Sequence, residues 1–95
     1  MANNDRGRAQ IAGALSNHRR IEMIRLLQTS GPLCVNEVAH ECRIDVATAS
    51  EHAKKLHDAG LIKKRAEGRK VHLHPTRRAA TLLDTIDLLW ESPAD

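Results

Sequence analysis

Aromatic residues are almost missing from this chain: one Trp, Trp90, and neither Tyr nor Phe in 95 residues. A protein that grips single strands by stacking bases on exposed rings needs several of them, so that class is excluded. Long apolar runs are missing too. None approaches the ~18 residues that would span a bilayer, and the stretch Met1-Ala2-Asn3-Asn4-Asp5 lacks the apolar core of a signal peptide, which gives a cytoplasmic expectation. Two cysteines are too few for a disulfide scaffold in a chain read as living in a reducing compartment. No Gly-rich phosphate loop, no Ser–His–Asp arrangement and no open metal-ligand triad stands in the sequence, so an enzyme has little support. There is no internal repeat and no low-complexity segment. The length allows a single domain over 1–95, with 1–7 and 91–95 expected to be flexible, and its modest core makes help from a second subunit a reasonable prior.

Charge is present but unevenly spread. The formal net charge is +3. Residues 61–78 hold Lys63, Lys64, Arg65, Arg69, Lys70, Arg77 and Arg78 against Glu67 alone, a local balance of +6, and the remainder of the chain sums to −3. A concentrated basic segment on a mildly acidic body suggests an anionic partner met at one edge. A solvated charge run is the alternative for this feature taken alone.

The periodicity predicts five helices. A short first helix over 8–15 carries Ile11, Ala12 and Leu15 on one side. Asn17 caps a second over 18–28, with Ile21, Ile24 and Leu27 at helical spacing, and Gly31-Pro32 stops it. Val35, Val38, Ala39 and Cys42 set a third helix over 35–42, with Cys34 and Glu37 spaced as in a capping box. Asp45 caps a fourth over 46–59, closed by Gly60. Residues 61–65 and 69–74 read as two strands around a turn at Ala66-Glu67-Gly68, with Val71 and Leu73 on one face and Lys70, His72 and His74 on the other. Pro75 opens a last helix to about Trp90 with a broad apolar stripe.

Two short helices joined by a tight turn, followed by a basic hairpin, make a helix-turn-helix with a wing. The expected class is mainly α with a two-stranded β-hairpin. A major groove about 12 Å wide admits one helix. With Ala49, Ala53 and Leu56 on the buried side of the fourth helix, Ala47, Thr48, Ser50, Glu51, Lys54 and Lys55 are left for the groove. Ala47 and Thr48 suit a thymine methyl, Thr48 and Ser50 can hydrogen-bond, Glu51 can accept from a cytosine amino group, and Lys54 and Lys55 suit phosphates. Arg65, Arg69 and Lys70 are the wing's contacts. A winged-helix module that binds protein instead of DNA is the competing reading.

The runs Ala14-Leu15-Ser16-Asn17-His18-Arg19-Arg20-Ile21, Leu33-Cys34-Val35-Asn36-Glu37-Val38-Ala39, Ala47 through Ile62, and Glu67-Gly68-Arg69-Lys70-Val71-His72 together resemble the ArsR/SmtB family of bacterial repressors. The resemblance covers roughly 10–90. It implies a homodimer joined through the first and last helices, by Ile11, Leu15, Leu82, Leu83, Ile86, Leu89 and Trp90. It also implies binding to double-stranded DNA at an imperfect palindrome, with release by an inducer or a redox signal. The wide apolar stripe over 79–90 argues for a dimer independently.

The sensor is where this sequence departs from the family. Its arsenic-sensing members carry Leu-Cys-Val-Cys-Asp; here Asn36 replaces the second Cys, leaving Cys34 as a candidate thiol sensor without a complete ligand set for a metal or metalloid. Cys34 sits at a helix N-terminus, which favours the thiolate. Cys42 reads as core, and eight helical residues put about 12 Å between it and Cys34, too far for a disulfide. The last helix offers Asp84 and Asp87 but no His, so the family's other metal site looks absent. His72 and His74 share a strand face and can chelate only weakly. His18, His40 and His57 show no ligand spacing, and neither does His52.

Overall fold

The computed structural model describes residues 3–91. Eight elements follow one another: α1 Asp5–Ala14, α2 His18–Ser30, β1 Leu33–Cys34, α3 Val35–Cys42, α4 Val46–Asp58, β2 Ile62–Glu67, β3 Lys70–Pro75 and α5 Arg77–Glu91. The architecture is mainly helical with a small antiparallel sheet, a winged helix-turn-helix.

Side-chain caps set most of the helix boundaries. Asn4 Oδ1 accepts from the Gly7 N–H at 3.0 Å, which starts α1 a turn earlier than the apolar spacing predicts. Asp5–Gly7 are therefore helical; at the other end Glu91 closes α5, and 1–2 and 92–95 lie outside the described residues. Asn17 Oδ1 takes the Arg19 and Arg20 N–H groups at 2.8 and 3.3 Å, and α2 runs on to Ser30 before Gly31 ends it. Arg43 closes α3 in the left-handed region at φ +56, while the Ile44 N–H returns to the Ala39 carbonyl at 3.0 Å.

The sheet has three strands in the order β1-β3-β2, one more than the expected hairpin. β1 is only two residues long, too short for any alternation to show. It pairs Leu33 with Leu73 and Cys34 with His72. β2 and β3 pair from Ile62 opposite Pro75 out to Glu67 opposite Lys70, around a two-residue turn in which only Gly68 has a positive φ, the position where a type II′ turn takes glycine. Leu73 is fully buried beneath the helices, but Val71, expected on the same buried face, is 48% exposed. The hairpin projects past its helical backing by that point.

Met23, Ile24 and Leu27 of α2, Val38 of α3, Leu56 of α4, Leu61, Ile62, Leu73 and Leu83 of α5 form one core. The junction after α4 is stapled from three directions. Gly60 turns at φ +75, Thr76 Oγ1 donates to its carbonyl at 2.7 Å, and Arg78 Nη1 donates to the Ala59 carbonyl at 2.9 Å. The same Thr76 oxygen accepts from the Ala79 N–H at 3.3 Å and so caps α5. The last helix thus begins at Arg77; Pro75 is spent as the final residue of β3 instead of opening it.

A Cβ at Gly60 would lie 2.7 Å from Arg78 Nη1 on a backbone that L-residues rarely adopt. Gly60→Ala is expected to lower stability by about 1–2 kcal/mol, checked by urea denaturation at matched protein concentration.

Candidate nucleic-acid interface

The surface that matters is built around α4. Its inner edge, Ala49, Ala53 and Leu56, is fully buried against the core, and a 3.6-residue period then forces the remaining rows outward. Ala47, Ser50, Glu51, Lys54 and Lys55 are exposed as expected. Val46, which sequence reasoning passed over as a mere helix start, is 47% exposed and extends the apolar surface next to Ala47. The signal was available: a β-branched residue immediately after a capping Asp, one turn ahead of Ser50.

Thr48 is tied into the helix cap. Asp45 Oδ1 accepts from its backbone N–H at 2.7 Å and Asp45 Oδ2 from its hydroxyl at 2.8 Å. The hydroxyl proton points into the helix cap, which leaves the oxygen's lone pairs as its free hydrogen-bonding capacity. Those two bonds, the backbone one first, hold the Asp45 carboxyl below its ordinary 3.8. Lys54 Nζ lies 3.3 Å from Asp58 Oδ2, a water-exposed pair that a phosphate can replace at little cost.

The wing carries Arg65, Arg69 and Lys70 exposed, and Lys63 and Lys64 beside them, two cations absent from the expected contact set. Strand pairing puts Lys63, Arg65, Glu67, Lys70, His72 and His74 on one face. Glu67 gathers both imidazoles: His74 Nε2 lies 3.1 Å from Oε1, and His72 Nδ1 lies 3.3 Å from Oε2 without hydrogen-bond alignment. Among the described residues no group of three or more His, Cys, Asp or Glu side chains is arranged to hold a metal ion.

Cys34 is half-buried at the N-terminus of α3, opposite His72 across the sheet. Its backbone N–H donates to Glu37 Oε1 at 3.0 Å, and this bond holds the Glu37 carboxyl below its ordinary range. Asn36 is exposed, so this corner presents a single thiol. Cys42 is half-buried and packs against the core, where burial, with Glu22 and Glu41 nearby, pushes its thiol up against the opposing pull of Arg19.

The residues expected at a subunit interface divide into three sets. Leu15 and Leu83 are buried inside the chain's own core, so in one protomer they are already covered. Ile11, Leu82 and Ile86 are half-buried, whereas Leu89 is 68% and Trp90 87% exposed, with Leu88 exposed beside them. Asp87 is engaged by Arg25, whose Nη2 donates to Oδ1 at 2.6 Å and Nη1 to Oδ2 at 3.3 Å, tying α5 to α2.

Comparison with known proteins places this geometry. The profile of the family described as "Bacterial regulatory protein, arsR family" matches residues 17–64. The HTH-type transcriptional regulator YceK of Bacillus subtilis, itself uncharacterised, is 46% identical over 66 residues, 68% of this chain and 66% of that one. A cadmium resistance transcriptional regulatory protein, a CadC homologue of Staphylococcus aureus, is 38% identical over 64 residues, 67% of this chain and 53% of that one. The matches thus span between about half and two thirds of these relatives. A solution NMR structure of the homodimeric winged helix-turn-helix DNA-binding domain Mb0332 from Mycobacterium bovis superposes with a TM-score of 0.84 at 23% identity, covering 100% of this chain and 94% of that one. At that identity the likeness speaks for the fold.

Asp45→Ala is expected to fray the first turn of α4, seen as faster amide hydrogen exchange at Thr48. The cap should act in full above about pH 3.8 and be lost as the pH falls through the lower folded value.

Proposed function

The chain belongs to the ArsR family of bacterial regulatory proteins, and from that premise we propose that it is a DNA-binding transcriptional repressor that works as a homodimer. The observation that carries this reading is the outward row of α4 followed directly by a cationic β2–β3 hairpin. Val46 and Ala47 meet thymine methyl groups in the major groove, Ser50 hydrogen-bonds a base edge or phosphate, and Glu51 accepts from a cytosine amino group. Lys54, Lys55 and the wing residues Arg65, Arg69 and Lys70 bind phosphates, giving affinity and register without base preference. A protein-docking module would have no need of five exposed cations on one hairpin.

The two copies join through α1 and α5. The exposed end of α5, Leu88, Leu89 and Trp90, together with Ile11, Leu82 and Ile86, supplies apolar area that one chain leaves uncovered. A two-fold pair of α4 helices fits an imperfect palindrome with half-sites about one helical turn apart, or a multiple of it. Cys34 is the residue through which an oxidant or a thiol-seeking inducer would act on this fold, because it joins β1 to the first turn of α3.

Two measurements test the reading. Replacing Arg65, Arg69 and Lys70 together with Ala should weaken duplex binding at least about 100-fold near 0.1 M salt and flatten the log–log salt slope by roughly 3 per protomer; unchanged binding would count against a DNA-contacting wing. Leu89→Glu should convert the dimer to a monomer by size-exclusion chromatography with light scattering, and a chain that is monomeric before the substitution would refute the assembly.

A further inference from the structure

We infer that Arg20 is a positioning residue for DNA binding: through His52 it fastens α4 to the C-terminal carbonyls of α1. Arg20 is the one charged side chain buried among the described residues, at 7% exposure. Its Nε donates to the Ala14 carbonyl at 2.6 Å and its Nη2 to the Gly13 carbonyl at 3.2 Å, both at the end of α1. Its Nη1 lies 3.2 Å from Nδ1 of His52, in the middle of α4. Among the described residues, no other side-chain hydrogen bond joins α4 to the first two helices.

The chemistry of this contact leaves one arrangement. A guanidinium has five donors and no acceptor, so His52 Nδ1 must accept and the ring proton must sit on Nε2. A protonated imidazole has no lone pair to offer, and its Nδ1–H would oppose the Arg20 N–H. The link therefore holds only with neutral His52. Its surroundings favour that state. Burial, then Arg20 and Lys55, push His52 below its ordinary 6.5, with Glu51 pulling the other way. Asp58, Lys55 and Gln10 line the groove beside Arg20, and no carboxylate stands within salt-bridge reach of His52 among the described residues.

This inference rests on the regulator reading, because its consequence is felt on a duplex. In a dimer joined partly through α1, the separation of the two α4 helices is set by how firmly each is held to α1, and half-sites on DNA accept one separation. Protonating His52 would release α4 from α1 without unfolding either helix. Since the folded chain takes up this proton less readily than the unfolded one, stability present above about pH 6.5 is also lost as the pH falls through the folded value.

The test compares the native chain with His52→Asn, whose Oδ1 stands where Nδ1 stands and accepts from Arg20 but cannot be protonated. The probe is a duplex enriched from a randomised library by the native protein. At about pH 7.5 the two should bind within about twofold. At about pH 5 the native chain should be weaker than His52→Asn by about tenfold, the size of one charge-assisted hydrogen bond. His52→Leu, which accepts nothing, should bind worse than both at about pH 7.5, with its thermal midpoint recorded to exclude unfolding. Ring ¹⁵N shifts of His52 should show an unprotonated Nδ1 near neutrality, a readout that needs no DNA. A native-to-Asn ratio that does not move with pH while native binding is tight, or an Nδ1–H tautomer, overturns the positioning role alone. If no duplex is enriched by the native protein, the regulator reading fails and the positioning role fails with it.

Discussion

The close approach of α4 to the core governs how this molecule can be used. Ala49 and Ala53 are wholly buried, and their small side chains let the helix backbone settle against its neighbours while Leu56 fills the space one turn on. A larger residue at either alanine would push the helix off its seat, a change that packed interiors resist. With that edge fixed, helical geometry decides the rest: Val46, Ala47, Ser50, Glu51 and Lys54 have nowhere to point but outward. The exposed row follows from the buried one.

Around that seat, α4 is secured along its whole length by unlike means. Asp45 satisfies the first turn, Arg20 of α2, itself held by the α1 carbonyls, reaches the middle through His52, and Gly60, Thr76 and Arg78 bind the far end to α5. Charge is sorted to match. Cations gather on the hairpin that follows α4, while α5 from Ala79 onward carries acids and no base, so the attraction for a polyanion is concentrated on the hairpin.

Much of this was legible in the sequence because the determinants are local. Asn17 and Asp45 mark helix starts by side-chain bonds to N–H groups two or three residues on, Gly60 marks an end by its left-handed backbone, and α3 falls on 35–42 as its apolar spacing indicates. What escaped was non-local. β1 is a strand only because Leu33 and Cys34 lie against β3, some forty residues on. The apolar residues at the end of α1 and along α5 carry no mark of whether they face their own core, as Leu15 and Leu83 do, or outward, as Leu89 and Trp90 do. One local bond escaped as well: the Thr48 hydroxyl donates to Asp45 three residues back, a contact the cap spacing alone does not require. Arg20 and His52 are 32 positions apart, and an arginine in a polar helix face reads as solvated until the fold closes over it.

The position of Trp90 gives the molecule a built-in optical gauge. It is the sole tryptophan in a chain without tyrosine, and it stands 87% exposed near the end of α5. Ultraviolet emission therefore arises from one indole at one place, with no second fluorophore to blur it. Indole light shifts toward the blue when water leaves the ring, so its colour distinguishes a bare α5 end from a covered one in dilute solution, without a label.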